Sequence, residues 1–354
     1  MRTESVVTNI AEIAREARVS KATVSRVVNR HPDVDPRTAE RVGAVISRLG
    51  YVPRASAQAL ARGRARCIGL QVPTLTLPWL LELLRGIADA VESRSYTLTL
   101  YTTTRGTESL RNFAVQVAAR VVDGLIVVVP HTLEDEVRQL YETDIPIISI
   151  DDHLWDVPVV LTTQYQGSYD ATRHLIRQGR TPIATITGPL RSKGAHDRLD
   201  GFRDAARDAG IAERETHVAG ADWTIDGGSA AMRPLLDLRP DLSGLFAAND
   251  LMAIGAMSVI AETGRSIPGD IAVIGFDDIP AAAHTTPALT TVRQPLYEMG
   301  HAAALHLIDR LEGDEQQPQS ITLPTSLVIR ASCGGERPTP GPDQTFGSAS
   351  HSPR

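Results

Sequence analysis

Cysteine is nearly absent from this chain. Cys67 and Cys333 are the only two in 354 residues, too few for a disulfide framework or a cysteine-rich zinc site. Both are expected as small packed apolar side chains. Long apolar runs are missing as well: the longest, such as Leu125 to Val129, fall far short of a bilayer span. The first residues carry charges where a secretion leader has an apolar stretch, so a cytoplasmic protein without a membrane partner is expected. Enzyme signatures are lacking: there is no Gly-x-x-x-x-Gly-Lys phosphate loop, no His-Glu-x-x-His and no Gly-x-Ser-x-Gly. The ten histidines are scattered, and His301 and His306, five apart, fall on different faces of a helix. Asp151-Asp152-His153 reads as a solvated loop rather than a metal site. No catalytic residue, metal ligand or cofactor is therefore assigned. Residues 334–354 lack apolar periodicity and are expected to be disordered.

What is present is unevenly distributed. The net charge of -6 divides into +7 over residues 1–66 and -13 over the remainder, as if a basic module were joined to an acidic one. The basic part can attract phosphates. Within it, Ile10, Ile13, Ala14 and Ala17 make one apolar helical face, Val24, Val27 and Val28 a second, and Val42, Val45, Ile46 and Leu49 a third. Start signals are Thr8, Ser20, and Asp35 followed by Pro36, and Gly50 closes the third helix. Only Arg18-Val19-Ser20 separates the first two helices, which must cross sharply as in a helix-turn-helix. Lys21, Ala22, Ser25, Arg26 and Asn29 fall opposite the valine stripe. Arg26 can donate two bonds to a guanine and Ala22 can meet a thymine methyl, while Ser25, Thr23 and Asn29 can hold phosphates. A small solvated bundle with no nucleic-acid role satisfies the same periodicity and charge.

From Cys67 onward the pattern changes to strands alternating with helices. Strands are expected over Ile68 to Val72, Thr97 to Tyr101, Gly124 to Val129, Ile147 to Ile150, Ile183 to Thr187, Gly244 to Ala248 and Ile271 to Gly275. Helices separate most of them, for example Trp79 to Ser93, Gln166 to Gln178, Asp197 to Ala209 and Asp250 to Glu262. This implies an α/β fold with parallel sheets covered by helices. Residues 67–333 exceed the size of one core, so two sheets side by side are expected. Ligands of such sheets bind beyond the carboxyl ends of the strands. Asp151, Asn249, Asp250, Asp277 and Asp278 stand at such ends, and Arg198 is expected to start a helix after a fifth strand and its loop. Carboxylates, an amide and a guanidinium suit adjacent sugar hydroxyls, with Trp223 as an apolar platform. Arg198 and Asp277 also suit a structural salt bridge or a helix cap, and Asp250 and Asp278 read better as helix caps than as ligand contacts.

Several runs together resemble one family. Ile10 to Ala17, Val19-Ser20 to Asn29, Leu49-Gly50-Tyr51-Val52-Pro53, Ile68-Gly69-Leu70, Arg198-Leu199-Asp200-Gly201-Phe202, Ala248-Asn249-Asp250 and Gly275-Phe276-Asp277-Asp278 are similar, in this order, to the LacI family of bacterial transcription regulators. The resemblance implies an all-α helix-turn-helix headpiece (1–53) and a hinge helix with linker (54–66). A two-lobed, type I periplasmic-binding-protein-like effector domain (67–333) follows. Its N-lobe comprises about 67–163 and 293–321, its C-lobe about 164–292 and 322–333. The implied function is a repressor that reads a palindromic operator in double-stranded DNA as a homodimer and is controlled allosterically by a sugar-like molecule. Ser20, Lys21, Ala22, Thr23, Ser25, Arg26 and Asn29 inherit DNA contact. In the hinge, Leu60 inherits a minor-groove wedge with Ala57 packed nearby, although Leu60 also suits a linker leucine buried against the body. Effector contact passes to Leu77, Trp79, Asp151, Arg198, Trp223, Asn249 and Asp277. Residues 334–354 carry no leucine heptad of the kind that builds tetramers in the family.

Two departures stand out. Arg18 occupies a turn position where relatives have Gly, at about 1 kcal/mol for a Cβ at positive φ. Pro73 and Val128 replace polar groups of some sugar-responsive members, which implies a less polar N-lobe wall. A transport-type sugar-binding protein would share the two lobes but needs an export signal and no helix-turn-helix. A sugar-converting enzyme would show turnover.

Overall fold

The computed structural model describes residues 9–29, 31–51, 64–128, 145–153, 157–314 and 320–334. Three helices come first: α1 (Ile10–Glu16), α2 (Lys21–Val28) and α3 (Pro36–Leu49). The Asn9 carboxamide caps α1, accepting from the Ala11 and Glu12 amides at 2.9 and 3.1 Å. The start signal thus lies one residue beyond Thr8, itself outside the described residues. Ser20 caps α2 through the Thr23 amide at 3.0 Å, and Asp35 caps α3 through the Thr38 amide at 2.9 Å. Gly50 closes α3 in the left-handed region, φ 60°. Ile13, Ala14, Ala17, Val24, Val42 and Val45 form one buried cluster, and the Arg41 side chain donates to the Ala17 carbonyl at 3.0 Å, tying α3 to the end of α1. Arg18 has φ 51°, the strained turn anticipated from the missing glycine.

Two six-stranded sheets follow. The first has the order β11-β5-β4-β3-β1-β2, with β1 Cys67–Val72, β2 Thr97–Thr102, β3 Gly124–Val128, β4 Ile147–Ile150, β5 Val159–Thr162 and β11 Ser320–Leu323, all parallel. The second has the order β12-β10-β9-β8-β6-β7, with β6 Ile183–Thr187, β7 Thr216–Gly220, β8 Gly244–Ala247, β9 Ala272–Asp277, β10 Thr290–Arg293 and β12 Ser326–Val328. It is parallel except for β10 against β12. Every residue of β1, β3, β4, β6, β8 and β9 is buried, as strands covered on both faces must be.

Helices cover both faces of each sheet. On the first sheet, α4 (Leu80–Ser93) and α10 (Leu296–Glu312) share one core, and α5 (Thr107–Ala118) covers the other face. Helices α4 and α10 meet through Gly86 and Gly300, whose absent Cβ atoms would strike the Tyr297 and Leu83 carbonyl oxygens. On the second sheet, α8 (Ile225–Leu238) and α9 (Asp250–Glu262) cover one face, and α6 (Gln164–Arg177) and α7 (Lys193–Asp208) the other. Both cysteines are buried and free, and each also meets a threonine hydroxyl, Cys67 at Thr99 and Cys333 at Thr290.

The chain passes between the sheets three times: after β5, after β10 and after β11. The crossings are stitched together. Thr163 and Thr325 bond through their hydroxyls at 2.9 Å, and Thr162 donates to Gln294 at 2.9 Å. The last crossing falls beyond Leu323, two residues later than about 321. Helix α7 starts at Lys193, so Arg198 sits in its second turn rather than at its start.

Candidate effector cleft and DNA-facing helix

Between the carboxyl ends of the two sheets lies a cavity of about 270 Å³. Leu77, Trp79, Asp151, Arg198, Trp223, Asn249 and Asp277, scattered over two hundred residues of sequence, all line it. The strand-end argument explains the convergence: Asp151 follows β4, Asn249 follows β8, and Asp277 ends β9. Three of the seven, Asp151, Trp223 and Asp277, have positive φ of 75°, 73° and 110°. Such conformations cost about 1–3 kcal/mol each for non-glycine residues and gather where function needs a side chain aimed.

Arg198 is the centre of the polar half. Only 5% exposed, its Nε donates to Gln164 Oε1 at 2.7 Å, Nη1 donates to the Ala248 carbonyl, and Nη2 lies 3.6 Å from Asp277 Oδ1. Its guanidinium also stacks 3.7 Å from the Phe276 ring centroid and 5.6 Å from that of Trp223. The salt bridge and the cavity contact are thus both present. Burial dominates the titration of the pair. It lowers the Arg198 guanidinium despite Asp277 and Asp151, and raises the Asp277 carboxyl to about 6 despite Arg198. Gln294 Nε2 donates to Asp277 Oδ1 at 2.8 Å.

Trp223 is positioned by backbone. Its indole lies over Gly188, where any Cβ would come within 2.1 Å of the ring. Its carbonyl accepts from Asn249 Nδ2 at 3.0 Å. Asn249 Oδ1 meanwhile caps α9 through the Met252 amide at 2.9 Å, so the cap role read for Asp250 belongs to Asn249. Asp250, fully buried, accepts instead from the Thr291 hydroxyl at 2.5 Å and the Ile279 amide at 2.8 Å. Burial, then Asp277, raises its carboxyl well above the usual range. Asp278 is no cap either: it pairs with Arg293 and Arg330, each at 2.6 Å.

The N-lobe half of the wall is mostly apolar, with Leu77, Trp79, Leu83, Ile150, Leu296 and Met299 lining it beside Thr74 and Asp151. Trp79 packs against the α4/α10 core and the α8/α9 core, so one side chain touches both lobes. Sequence reasoning did not single out Gln294, Leu296 or Met299. The signal available for Gln294 was its place directly after a crossing strand. The described lining contains no histidine or cysteine, and no cluster of three metal-ligating side chains occurs among the described residues. The cavity can offer hydroxyls a guanidinium, carboxylates and amides, and an apolar body a tryptophan-bearing wall.

At the other end of the chain, Lys21, Ala22 and Arg26 are exposed on α2 while Val24 is buried. Ser20 and Thr23 bond each other at 2.9 Å as part of the cap, and Ser25 lies 3.5 Å from Asn29 Nδ2. Asn29 Oδ1 has no hydrogen-bond partner among the described residues. Ala57 and Leu60 lie outside the described residues. No described helix is long and apolar enough to cross a membrane.

Comparison with known proteins bears on both regions. Residues 9–54 match the model of bacterial regulatory proteins of the lacI family, and residues 172–333 match that of the periplasmic binding protein-like domain. The ribose operon repressor of Halalkalibacterium halodurans is 34% identical over 331 residues, covering 93% of this chain and 98% of that protein. A complex of the transcriptional regulator CelR with cellobiose superposes with a TM-score of 0.71 at 34% identity, covering 92% of this chain and 99% of that one. The lac repressor dimer bound to operator and the anti-inducer ONPF gives a TM-score of 0.82 at 27% identity over the same shares. These relatives are transcription regulators, not enzymes.

Proposed function

Because this chain belongs to the LacI family of bacterial regulatory proteins, we propose that it is a cytoplasmic repressor whose headpiece grips operator DNA under the control of a sugar-like effector. The observation that carries this reading is the convergence of seven residues from both lobes on one cavity at the strand ends. In this reading Arg198, Asp277, Asn249 and Asp151 bond the sugar hydroxyls, Trp223 and Trp79 cover its apolar faces, and Leu77 closes the N-lobe side. Relatives support the ligand class: one is a ribose operon repressor and another is a cellobiose complex.

DNA contact belongs to Lys21, Ala22 and Arg26 for bases, and to Ser20, Thr23, Ser25 and Asn29 for phosphates. Residues 1–53 form the reading unit, 54–66 the hinge with its Leu60 wedge and neighbouring Ala57, and 67–333 the effector unit. One headpiece makes few base contacts, so two copies on a palindrome supply useful specificity. The lac repressor dimer on its operator supports a homodimer here. A ligand shifts DNA binding only through its different affinity for two lobe arrangements. A thermal-shift screen of sugars, nucleosides and sugar phosphates tests the cleft: a ligand at 100 times its dissociation constant adds about 2.7 kcal/mol. No shift with any carbohydrate would remove the sugar assignment.

A further inference from the structure

One side chain that does not line the cleft bonds to three residues that do. Gln164, the first residue of α6, lies directly after the first crossing and is 6% exposed. Its Nε2 donates to Asp151 Oδ1 in the N-lobe at 3.0 Å and to Gln294 Oε1 on the second crossing at 3.2 Å. Its Oε1 accepts from Arg198 Nε in the C-lobe at 2.7 Å. The amide orientation is fixed by these partners. A flipped group would set its NH2 against a guanidinium N–H and its oxygen against a carboxylate and a carboxamide oxygen.

We infer that Gln164 is the positioning residue through which occupancy of the cleft sets the angle between the lobes. Both donors and the acceptor are committed, one to each lobe and one to a crossing segment. A ligand that bonds to Arg198 or Asp151 pulls on groups that Gln164 holds and so disturbs its bonds. The disturbance then reaches Gln294, which is held in turn by Thr162 and Asp277. A hydrophobic residue of the same length would fill the space and transmit nothing. Glu would bring its oxygens against Asp151 and Gln294 with no donor to offer either.

The inference rests on the cleft being the effector site, but its test needs no ligand, so the two can fail separately. Nitroxide labels on Glu108→Cys in α5 and Asp237→Cys in α8, both exposed, report the distance between lobes. The full-length chain is used, with Cys67 and Cys333 changed to Ser and with dilution by unlabelled chain to suppress distances between subunits. The unaltered Gln164 protein is expected to give one narrow distribution. Gln164→Met and Gln164→Glu should each enlarge the open population about tenfold or more, the scale for losing bonds to buried charged groups. Urea unfolding of each variant checks that it is folded, and if Gln164→Met is not, Gln164→Glu decides alone. If Gln164→Met stays narrow while Gln164→Ala broadens, the side chain only fills space and the inference is wrong. Unchanged distributions in all three would overturn it equally.

Discussion

The Arg198 guanidinium and the Asp277 carboxylate stand 3.6 Å apart, each 5% exposed, and burial rather than attraction decides how both titrate. Asp277, raised from 3.8 to about 6, keeps a proton in the native state that the unfolded chain has released across that window. Its contribution to stability is therefore full below 3.8 and is lost as pH rises through about 6. Asp277→Asn removes the titration. In urea unfolding, the stability of the Asn variant relative to the parent should rise from about pH 4 to pH 6. A flat or falling difference would contradict the burial argument.

Gly188 is where the tryptophan platform meets backbone. Gly188→Ala puts a methyl into the Trp223 ring, at about 1–3 kcal/mol for overpacking. The indole must move, so the variant should lose most of its ligand-induced thermal shift and change its tryptophan emission. Retention of both would show that the ring does not rest where the cleft needs it.

Asp250 serves two donors with two oxygens. Asp250→Asn leaves a single acceptor for the Thr291 hydroxyl and the Ile279 amide, and an expected loss of about 1–3 kcal/mol in chemical denaturation. Thr291→Val removes one of the donors. In the double variant the two losses should not add, because with the Thr291 hydroxyl gone the one remaining acceptor serves the Ile279 amide alone.

The sequence carried much of this architecture, and where it was silent there are physical reasons. Strands such as β3 and β8 announce themselves because burial on both faces demands continuous apolar runs. Strand β10 does not, since Thr290 and Thr291 are buried only because Arg330, Cys333 and Asp250 meet their hydroxyls from far along the chain. The cleft residues were legible as polar groups at strand ends. Their positive φ was not, because a non-glycine residue gives no local sign of strain that tertiary contacts impose. Gln164 escaped notice because its importance lies in three partners contributed by three separate segments.

In the headpiece, Arg26→Ala should cost about 1–3 kcal/mol on a preferred duplex and relax the sequence preference at one base pair. Asn29→Ala, at a phosphate contact, should instead weaken all sequences alike and leave the sequence preference unchanged. Binding titrations at several salt concentrations on duplexes selected from a random pool separate the two. Identical effects on selected and random duplexes for Arg26→Ala would remove its base-reading role.

The central claim, that occupancy of the cleft governs the grip on DNA, is tested by fluorescence anisotropy of the full-length protein on a selected palindromic duplex. The titration is run with and without a saturating amount of the sugar that gives the largest thermal shift. Affinity is predicted to change by about tenfold or more with the sugar bound, within the usual range of allosteric coupling, and Arg198→Met should abolish the change. Equal affinity with and without bound sugar would mean that the ligand does not distinguish two lobe arrangements, and would contradict the account.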